Sequence, residues 1–310
     1  MMLWFNYLRE PNMQEGPFNT TNPFWRAVQS NLLFIGLVEL VIYNGGLVIK
    51  YAVQASVDPF TPLVGEEYGF LYNANFWIII PILITIAFMW LTCRDALKVF
   101  TEGSLTRKLA SLGKGLVLGF VWMSILVLAT HVSGTITYRF NHFEWAVVPL
   151  IIPLFIQCAA EEMLLRGYVP AVMKGHRWDT ICFVSGALFI FHHILNMEFW
   201  GFNRLFCLNV FLLGFLFCLL VTWEGYFWIV CGVHTAWNYT QTYLFGTVDA
   251  DVATSHGIFM GVPITSNAFY DEVFGFEGAI TTTVLVGALI LFFIYVLYIR
   301  PAKHGDAKQA

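Results

Sequence analysis

Residues 146–172 read AVVPLIIPLFIQCAAEEMLLRGYVPAV, and this stretch decides the fold class. It is long enough to cross a bilayer, which takes roughly 20 predominantly apolar residues. Its charged side chains are Glu161, Glu162 and Arg166, all in the second half. Charges in hydrocarbon are costly, so they usually face the interior of a helix bundle. We therefore predict a membrane span whose charges mark a site or a paired structural contact.

Apolar runs of this kind follow one another along the whole chain. The candidate spans are about Asn31–Val53, Phe76–Cys93, Gly115–Val132, Ala146–Val172, Thr180–Met197, Leu205–Val221, Phe227–Leu244 and Ala279–Ile299. No stretch outside them is long enough to bury a core of its own. We predict an all-α polytopic membrane protein with about eight transmembrane helices. Residues 31–300 would form a single membrane domain, with 1–30 as a cytoplasmic N-terminal segment and 301–310 as a cytoplasmic tail.

The composition agrees with a membrane protein and argues against other classes. Hydrophobic residues make up 58% of the chain and charged residues 12%, and the mean hydropathy is +0.68. A net charge of −4 provides no basic excess for nucleic-acid phosphates. The six cysteines lie inside or beside apolar runs without C-x-x-C spacing, so we interpret them as small reduced hydrophobic residues.

The distribution of Lys and Arg predicts an orientation. The stretches Gln54–Asn75 and Thr247–Gly278 contain neither residue, and the second carries several acids, so both should face outward. The inner side of the membrane should be the one nearest to Arg94, Lys98, Arg107, Lys108, Lys114, Arg166, Lys174, Arg177, Arg300, Lys303 and Lys308. We expect an integral protein of a bacterial plasma membrane with both termini cytoplasmic.

Two residue pairs within the spans share a helix face at i, i+4. Glu162 and Arg166 can form an ion pair one turn apart, whereas Glu161 points elsewhere. His234 and Asn238 have the same spacing in the seventh span. Taken alone, the first pair is as well explained by a structural salt bridge with a snorkelling Arg as by a functional site.

The depth of these polar groups favours a common site. Glu161 lies roughly sixteen residues before the turn between the fourth and fifth spans, and His193 roughly sixteen after it. An antiparallel hairpin therefore brings them to nearly the same level, and His234 and Asn238 fall at an overlapping depth. Convergent acid, base and amide groups in one layer of the membrane indicate function more than packing. Spacing alone does not separate His193 from the adjacent His192.

Other intramembrane polar residues have weaker claims. Glu39 and Asn44 in the first span and His131 in the third are best explained by hydrogen bonds between helices. Cys158, one turn before Glu161, suggests a Cys–His nucleophile, but no electropositive helix end lies beside it to activate the thiol.

The sequence resembles the CAAX-protease and bacteriocin-processing family, also called CPBP or Abi, which includes the Ras-converting CAAX endopeptidase. The family pattern is E-E-x-x-x-R, then F-x-x-x-H, then H-x-x-x-N, each in a separate membrane helix. Here the motifs are 161-EEMLLR-166, 189-FIFHH-193 and 234-HTAWN-238, within about 145–245. Single motifs of this kind are weak, but three in the family's order are specific.

The resemblance implies roles for these residues. The first Glu of the motif, Glu161, is the family's general base, and the motif histidine is His193. We predict a glutamate–histidine endopeptidase in which Glu161 and His193 activate water while His234 and Asn238 stabilise the oxyanion. Glu162 and Arg166 would have a structural, positioning role.

The predicted partners are membrane lipid and a peptide or membrane-protein substrate, such as a prenylated CAAX peptide or a leader peptide, and no nucleic acid. We predict no cofactor, because committing Glu162 to Arg166 leaves Glu161 as the base. A zinc enzyme with Glu161, His193 and His234 as ligands is the alternative mechanism. The alternative function is a non-catalytic bacteriocin-immunity or transport-like protein with a polar cavity.

Overall fold

The structure is a computed structural model that describes residues 32–173, 176–193, 201–248, 257–265 and 267–299. The N-terminal segment 1–30, the tail 301–310 and the acids Asp249 and Asp251 of the predicted outer loop lie outside these ranges. In chain order the main elements are α1 (Leu32–Ser56), α2 (Thr61–Phe76), α3 (Ile79–Thr92), α4 (Lys98–Thr101), α5 (Leu105–Val132), β1 (Ile136–Phe140), α6 (Trp145–Val172), α7 (Trp178–His192), α8 (Arg204–Glu224), α9 (Trp228–Tyr239), β2 (Phe259–Pro263) and α10 (Ile280–Ile294). Short π turns extend α9 over Thr240–Leu244 and α10 over Tyr295–Ile299.

The protein is a mostly helical integral membrane protein, and a helix occupies each of the predicted apolar runs. Four of the described helices are long and apolar enough by themselves to cross a membrane: Leu105–Val132, Trp145–Val172, Arg204–Glu224 and Ile280–Ile299. Two more, Ile79–Leu91 and Trp178–His192, are apolar but shorter. Large apolar side chains remain exposed on the outer faces of α5 and α10, including Phe120, Leu128, Leu291 and Phe292, as a lipid-facing surface requires.

Two elements depart from the sequence prediction. The all-α expectation misses a two-stranded antiparallel sheet, in which β1 pairs with β2 from Ile136 opposite Pro263 to Phe140 opposite Phe259. The stretch Gln54–Asn75, predicted as an outer loop, contains the helix α2. Asp58 Oδ1 accepts hydrogen bonds from the backbone N–H groups of Phe60 and Thr61 and from the side chain of Asn73, which fixes the start of this helix.

Close backbone contact between α5 and α9 holds the helix that bears His234 and Asn238. Gly115 and Gly119 form a small-xxx-small face on α5. A Cβ atom on Gly115 would lie 2.1 Å from the carbonyl oxygen of Ile229, and one on Gly119 would lie 2.3 Å from that of Val233. Only glycine lets the two backbones approach this closely, so these residues fix the position of α9.

The helix α6 changes its winding where the charged motif lies. An α-helical part, Ile151–Glu162, passes into a π turn over Met163–Tyr168 and then into a last α-helical turn, Val169–Val172. Pro170 has no N–H to donate to the carbonyl of Arg166, so the α-helical bond pattern is interrupted there. Glu161 and Glu162 therefore end the regular part of the helix, and Arg166 lies in the π turn.

Candidate active site

The ion pair predicted from the i, i+4 spacing is present and completely buried. Arg166 Nη1 lies 3.0 Å from Glu162 Oε2, and both side chains are 0% exposed. Arg166 Nη2 also donates to the carbonyl oxygen of Gly214 at 3.0 Å. The guanidinium lies over the rings of Phe189 and Phe217, at 4.7 and 5.2 Å from their centroids. Arg166 thus joins α6 to α7 and α8.

Glycines on α7 and α8 make room for the guanidinium. A Cβ atom on Gly214 would lie 2.8 Å from the Cα of Gly186, 3.0 Å from the Cβ of Phe189 and 3.2 Å from Arg166 Nη2. The two helices therefore meet through their glycines directly beside Arg166. This contact keeps Phe189, and the histidines that follow it, next to α6.

Glu162 has a second partner that the sequence did not indicate. Its Oε1 lies 2.8 Å from His234 Nδ1, while its Oε2 faces Arg166. A carboxylate only accepts hydrogen bonds, so this contact assigns a proton to Nδ1 of His234. The ring is thereby oriented with Nε2 toward Glu161. Glu162 positions a histidine of the site as well as the arginine.

Glu161 faces two imidazole rings. Its Oε2 lies 3.5 Å from His192 Nε2 and 4.0 Å from His234 Nε2. The residue is 5% exposed. The contact with His192 is the shorter of the two, so this ring is the nearer partner of the carboxylate. Glu161, His192 and His234 bring α6, α7 and α9 together at one point.

His193 lies at the end of α7, where the helix stops. Its Nδ1 donates to the carbonyl oxygen of Phe189 at 2.8 Å. Its ring lies 5.3 Å from that of His192 and 4.6 Å from that of Phe189. His193 also interacts electrostatically with Glu161. The structure therefore places both histidines at the site and His192 in the ion-pair contact with Glu161.

Asn238 lies on the same face of α9 as His234. Its Nδ2 points to Cys158 Sγ at 3.9 Å, so the amide lies one turn of α6 before Glu161.

The six cysteines are free thiols, as the sequence predicts. Ser185, beside the second motif, donates to the carbonyl oxygen of Leu165 at 3.4 Å and helps to join α7 to α6.

Glu161 and His234, two members of the alternative ligand set, lie 4.0 Å apart between Oε2 and Nε2. Among the described residues, no group of three or more His, Cys, Asp or Glu side chains is placed to hold a metal ion. His131, the third-span candidate, directs Nδ1 toward the carbonyl oxygen of Ile136 at 3.4 Å and packs on Tyr138. The side chains of Glu39 and Asn44 lie outside the described part of the chain.

The family comparison covers the same elements. Residues 143–240 match the family model described as type II CAAX prenyl endopeptidase Rce1-like. This stretch, about a third of the chain, is similar to the CAAX proteases. It runs from the start of α6 to the end of α9 and contains Glu161, Glu162, Arg166, His192, His193, His234 and Asn238. No curated protein and no solved structure matches the chain.

The segment that matches the family model also contains features that the sequence analysis missed. The contact between Glu161 and His192 was not predicted, because spacing along a helix cannot say which of two adjacent rings faces a third helix. The hydrogen bond from His234 to Glu162 and the carbonyl of Gly214 as acceptor for Arg166 were missed for the same reason. Each of them depends on contacts between helices.

Proposed function

We propose that this protein is an intramembrane endopeptidase of the CAAX-protease type, which hydrolyses a peptide bond by glutamate–histidine activation of water. The observation that carries the proposal is the buried carboxylate of Glu161 facing the imidazoles of His192 and His234. It lies within the family-matched segment, beside a second carboxylate that is already held by Arg166 and His234.

In this mechanism Glu161 takes a proton from a water molecule, and the oxygen attacks the carbonyl carbon of the scissile bond. The histidines at the end of α7 orient the water and share the proton. The amide of Asn238 donates to the developing oxyanion. His234 donates there through Nε2 only when its ring carries both protons, since Nδ1 is engaged by Glu162. Collapse of the tetrahedral intermediate then releases the amine, which receives the proton.

The proposed substrate is a membrane-associated peptide, either a prenylated CAAX peptide or a leader peptide. We further propose that all eight apolar helices cross the membrane, with both termini in the cytoplasm of a bacterial cell. The site would then open within the membrane, where lipid-anchored peptides are concentrated. The helices that occupy the predicted spans support the crossings, and four of those described are long and apolar enough by themselves to cross a membrane. The orientation rests on the distribution of Lys and Arg.

The decisive experiment measures hydrolysis by purified protein in liposomes. The probes are a farnesylated peptide ending in a C-A-A-X sequence, with a fluorophore and a quencher on opposite sides of the expected bond, and the same peptide without the lipid. Wild-type protein should cleave the farnesylated peptide. Glu161→Gln and Glu161→Ala should lose turnover by about 10²-fold or more, the usual contribution of a general base. Glu102→Gln, an exposed matched change far from the motifs, should retain it.

The same experiment separates the alternatives. A bacteriocin-immunity or transport role need not depend on a water-activating carboxylate, so full function of Glu161→Gln would reject the protease mechanism. Metal independence is part of the proposal. If a strong chelator abolished turnover and stoichiometric zinc restored it, the metal-dependent mechanism would replace the glutamate–histidine mechanism.

A further inference from the structure

The loop before α10 places a buried carboxylate against the helix that bears His234 and Asn238. Glu277 is 8% exposed. Its Oε1 accepts a hydrogen bond from Trp237 Nε1 at 2.5 Å, and its Oε2 accepts one from Gln241 Nε2 at 2.9 Å. Both donors lie on the face of α9 that carries His234 and Asn238. Counted from His234, Trp237 is at i+3, Asn238 at i+4 and Gln241 at i+7, which together form one helical stripe. Glu277 therefore holds α9 on both sides of Asn238.

Glu277 is itself fixed by α8. Asn209, which is fully buried, donates through Nδ2 to the carbonyl oxygens of Glu277 and Ala279, at 2.8 Å each. Its Oδ1 accepts from Thr283 Oγ1 at 2.6 Å. The backbone of the loop is thus anchored to α8 and α10, and the Glu277 side chain extends from this anchor to α9.

We propose that Glu277 is a positioning residue for the Glu161 site, which acts by fixing α9 so that His234 and Asn238 face Glu161. This role rests on the proposed function. Glu277 lies outside the segment that matches the family, in the acidic loop to which the sequence motifs assign no role.

The chemistry of the contact requires a carboxylate. An ionised carboxylate has two acceptor oxygens and no donor, which matches two N–H donors on one helix. Burial raises the pKa of Glu277, while the hydrogen bonds from Gln241 and Trp237 act in the opposite direction. Glutamine at this position would present an N–H₂ group to one of the two donors. One hydrogen bond would then be lost and two donors would face each other, although the size of the side chain would be unchanged.

The first test is kinetic and uses the farnesylated peptide described above. We expect Glu277→Gln to lower kcat by about tenfold or more with little change in KM, since displacement of catalytic groups by about 1 Å can cost up to 10²-fold in rate. Trp237→Phe, which keeps an aromatic side chain and the Glu277 charge but removes the N–H donor, should lower kcat in the same way. Because both changes weaken the contact between Glu277 and Trp237, the loss of kcat in the double variant should be smaller than the product of the two single losses. Glu272→Gln, an exposed change in the same loop, is the matched control.

The second test does not depend on activity. In a ¹H–¹⁵N spectrum of the indole groups, the resonance lost in Trp237→Phe identifies Trp237. It should shift upfield in Glu277→Gln and stay in place in Glu272→Gln, because a hydrogen bond to a carboxylate deshields the indole proton. An unshifted resonance would overturn the contact.

The outcomes distinguish the two proposals. If Glu161→Gln loses turnover and Glu277→Gln keeps the wild-type kcat, the positioning role is wrong and the protease proposal stands. If kcat and the thermal transition fall together while Trp237→Phe remains fully active, Glu277 is structural only. Wild-type protein that hydrolyses neither of these peptides nor a leader peptide would overturn the proposed function and this role with it.

Discussion

His192 and His193 are adjacent, yet the structure gives them different contacts. His192 Nε2 faces Glu161, and His193 Nδ1 is engaged by the carbonyl oxygen of Phe189. The family motif points to His193, and the ion-pair geometry points to His192. The reason that spacing could not decide is local: His193 ends α7 with φ −95° and ψ 10°, so helical periodicity does not extend to its side chain.

We expect both histidines to contribute to turnover. His192→Ala and His193→Ala should each lower kcat by at least about tenfold, because each ring interacts with Glu161 and acid–base groups typically contribute 10²–10⁴-fold. The double variant should be less impaired than the product of the two losses, as groups that act as a unit are not additive. Phe191→Ala, an exposed neighbour on α7, serves as the control. A His192→Ala protein with wild-type turnover would show that its contact with Glu161 has no catalytic role.

The Glu162–Arg166 pair makes a prediction about stability. Arg166→Ala leaves the Glu162 carboxylate buried with one of its two partners, and breaking such a pair typically costs about 3–5 kcal/mol. Replacing both residues together, Glu162→Leu with Arg166→Met, removes both charges and should cost less. Thermal unfolding in detergent measures both variants. A double variant as unstable as Arg166→Ala alone would contradict the importance of the pairing.

At the scale of elements, the sequence predicted a helix at each apolar run but not what lies between the runs. The signals for the missed elements were present. Asp58 followed by Pro62 is a typical helix start, and the alternation in Ile136–Phe140 is typical of a strand. Hydropathy and the distribution of Lys and Arg predict only membrane spans and their orientation. The short helix and the strand therefore stayed unpredicted. The contacts between helices depend on tertiary packing, and the pattern of residues along a single sequence does not predict which helix faces meet.

The glycine face of α5 gives a prediction with an internal control. Gly119→Ala would place a Cβ atom 2.3 Å from the carbonyl oxygen of Val233. We expect a loss of about 1–3 kcal/mol, the usual cost of overpacking. Gly113→Ala, on the same helix with nothing within 4 Å of its Cβ, should be neutral or stabilise by up to about 1 kcal/mol through helix propensity. Equal melting temperatures for the two variants would show that α5 and α9 do not meet through Gly119.

The start of α2 should depend on pH. Hydrogen bonds from Thr61 and Asn73 lower the pKa of Asp58 to about 2. Because the folded-state pKa is depressed, the stabilisation is present above the unfolded value near 3.9 and is lost as the pH falls through about 2. Asp58→Asn should therefore flatten the acid dependence of α2 unfolding between these values, measured by proteolysis near residue 58. The same acid dependence in wild type and variant would mean that Asp58 does not stabilise the start of the helix.

For the whole molecule, the distribution of charges predicts how the helices are oriented across the membrane. The loop that begins at Arg94 should face the cytoplasm. The segment between the start of β2 and the start of α10 should face outward. Glu102 and Thr265 are exposed residues of these two regions, so a cysteine at either is accessible to a reagent on its own side. The test uses Glu102→Cys and Thr265→Cys in a background where the native cysteines are replaced.

In intact cells, a membrane-impermeant maleimide should label Thr265→Cys and should label Glu102→Cys only after the membrane is opened. Ser56→Cys, an exposed position at the end of α1, should behave like Thr265→Cys, because the stretch after α1 also lacks Lys and Arg. An even number of crossings between residues 56 and 265 is required for both to face outward. Labelling of Ser56→Cys without Thr265→Cys would therefore contradict the eight-span arrangement.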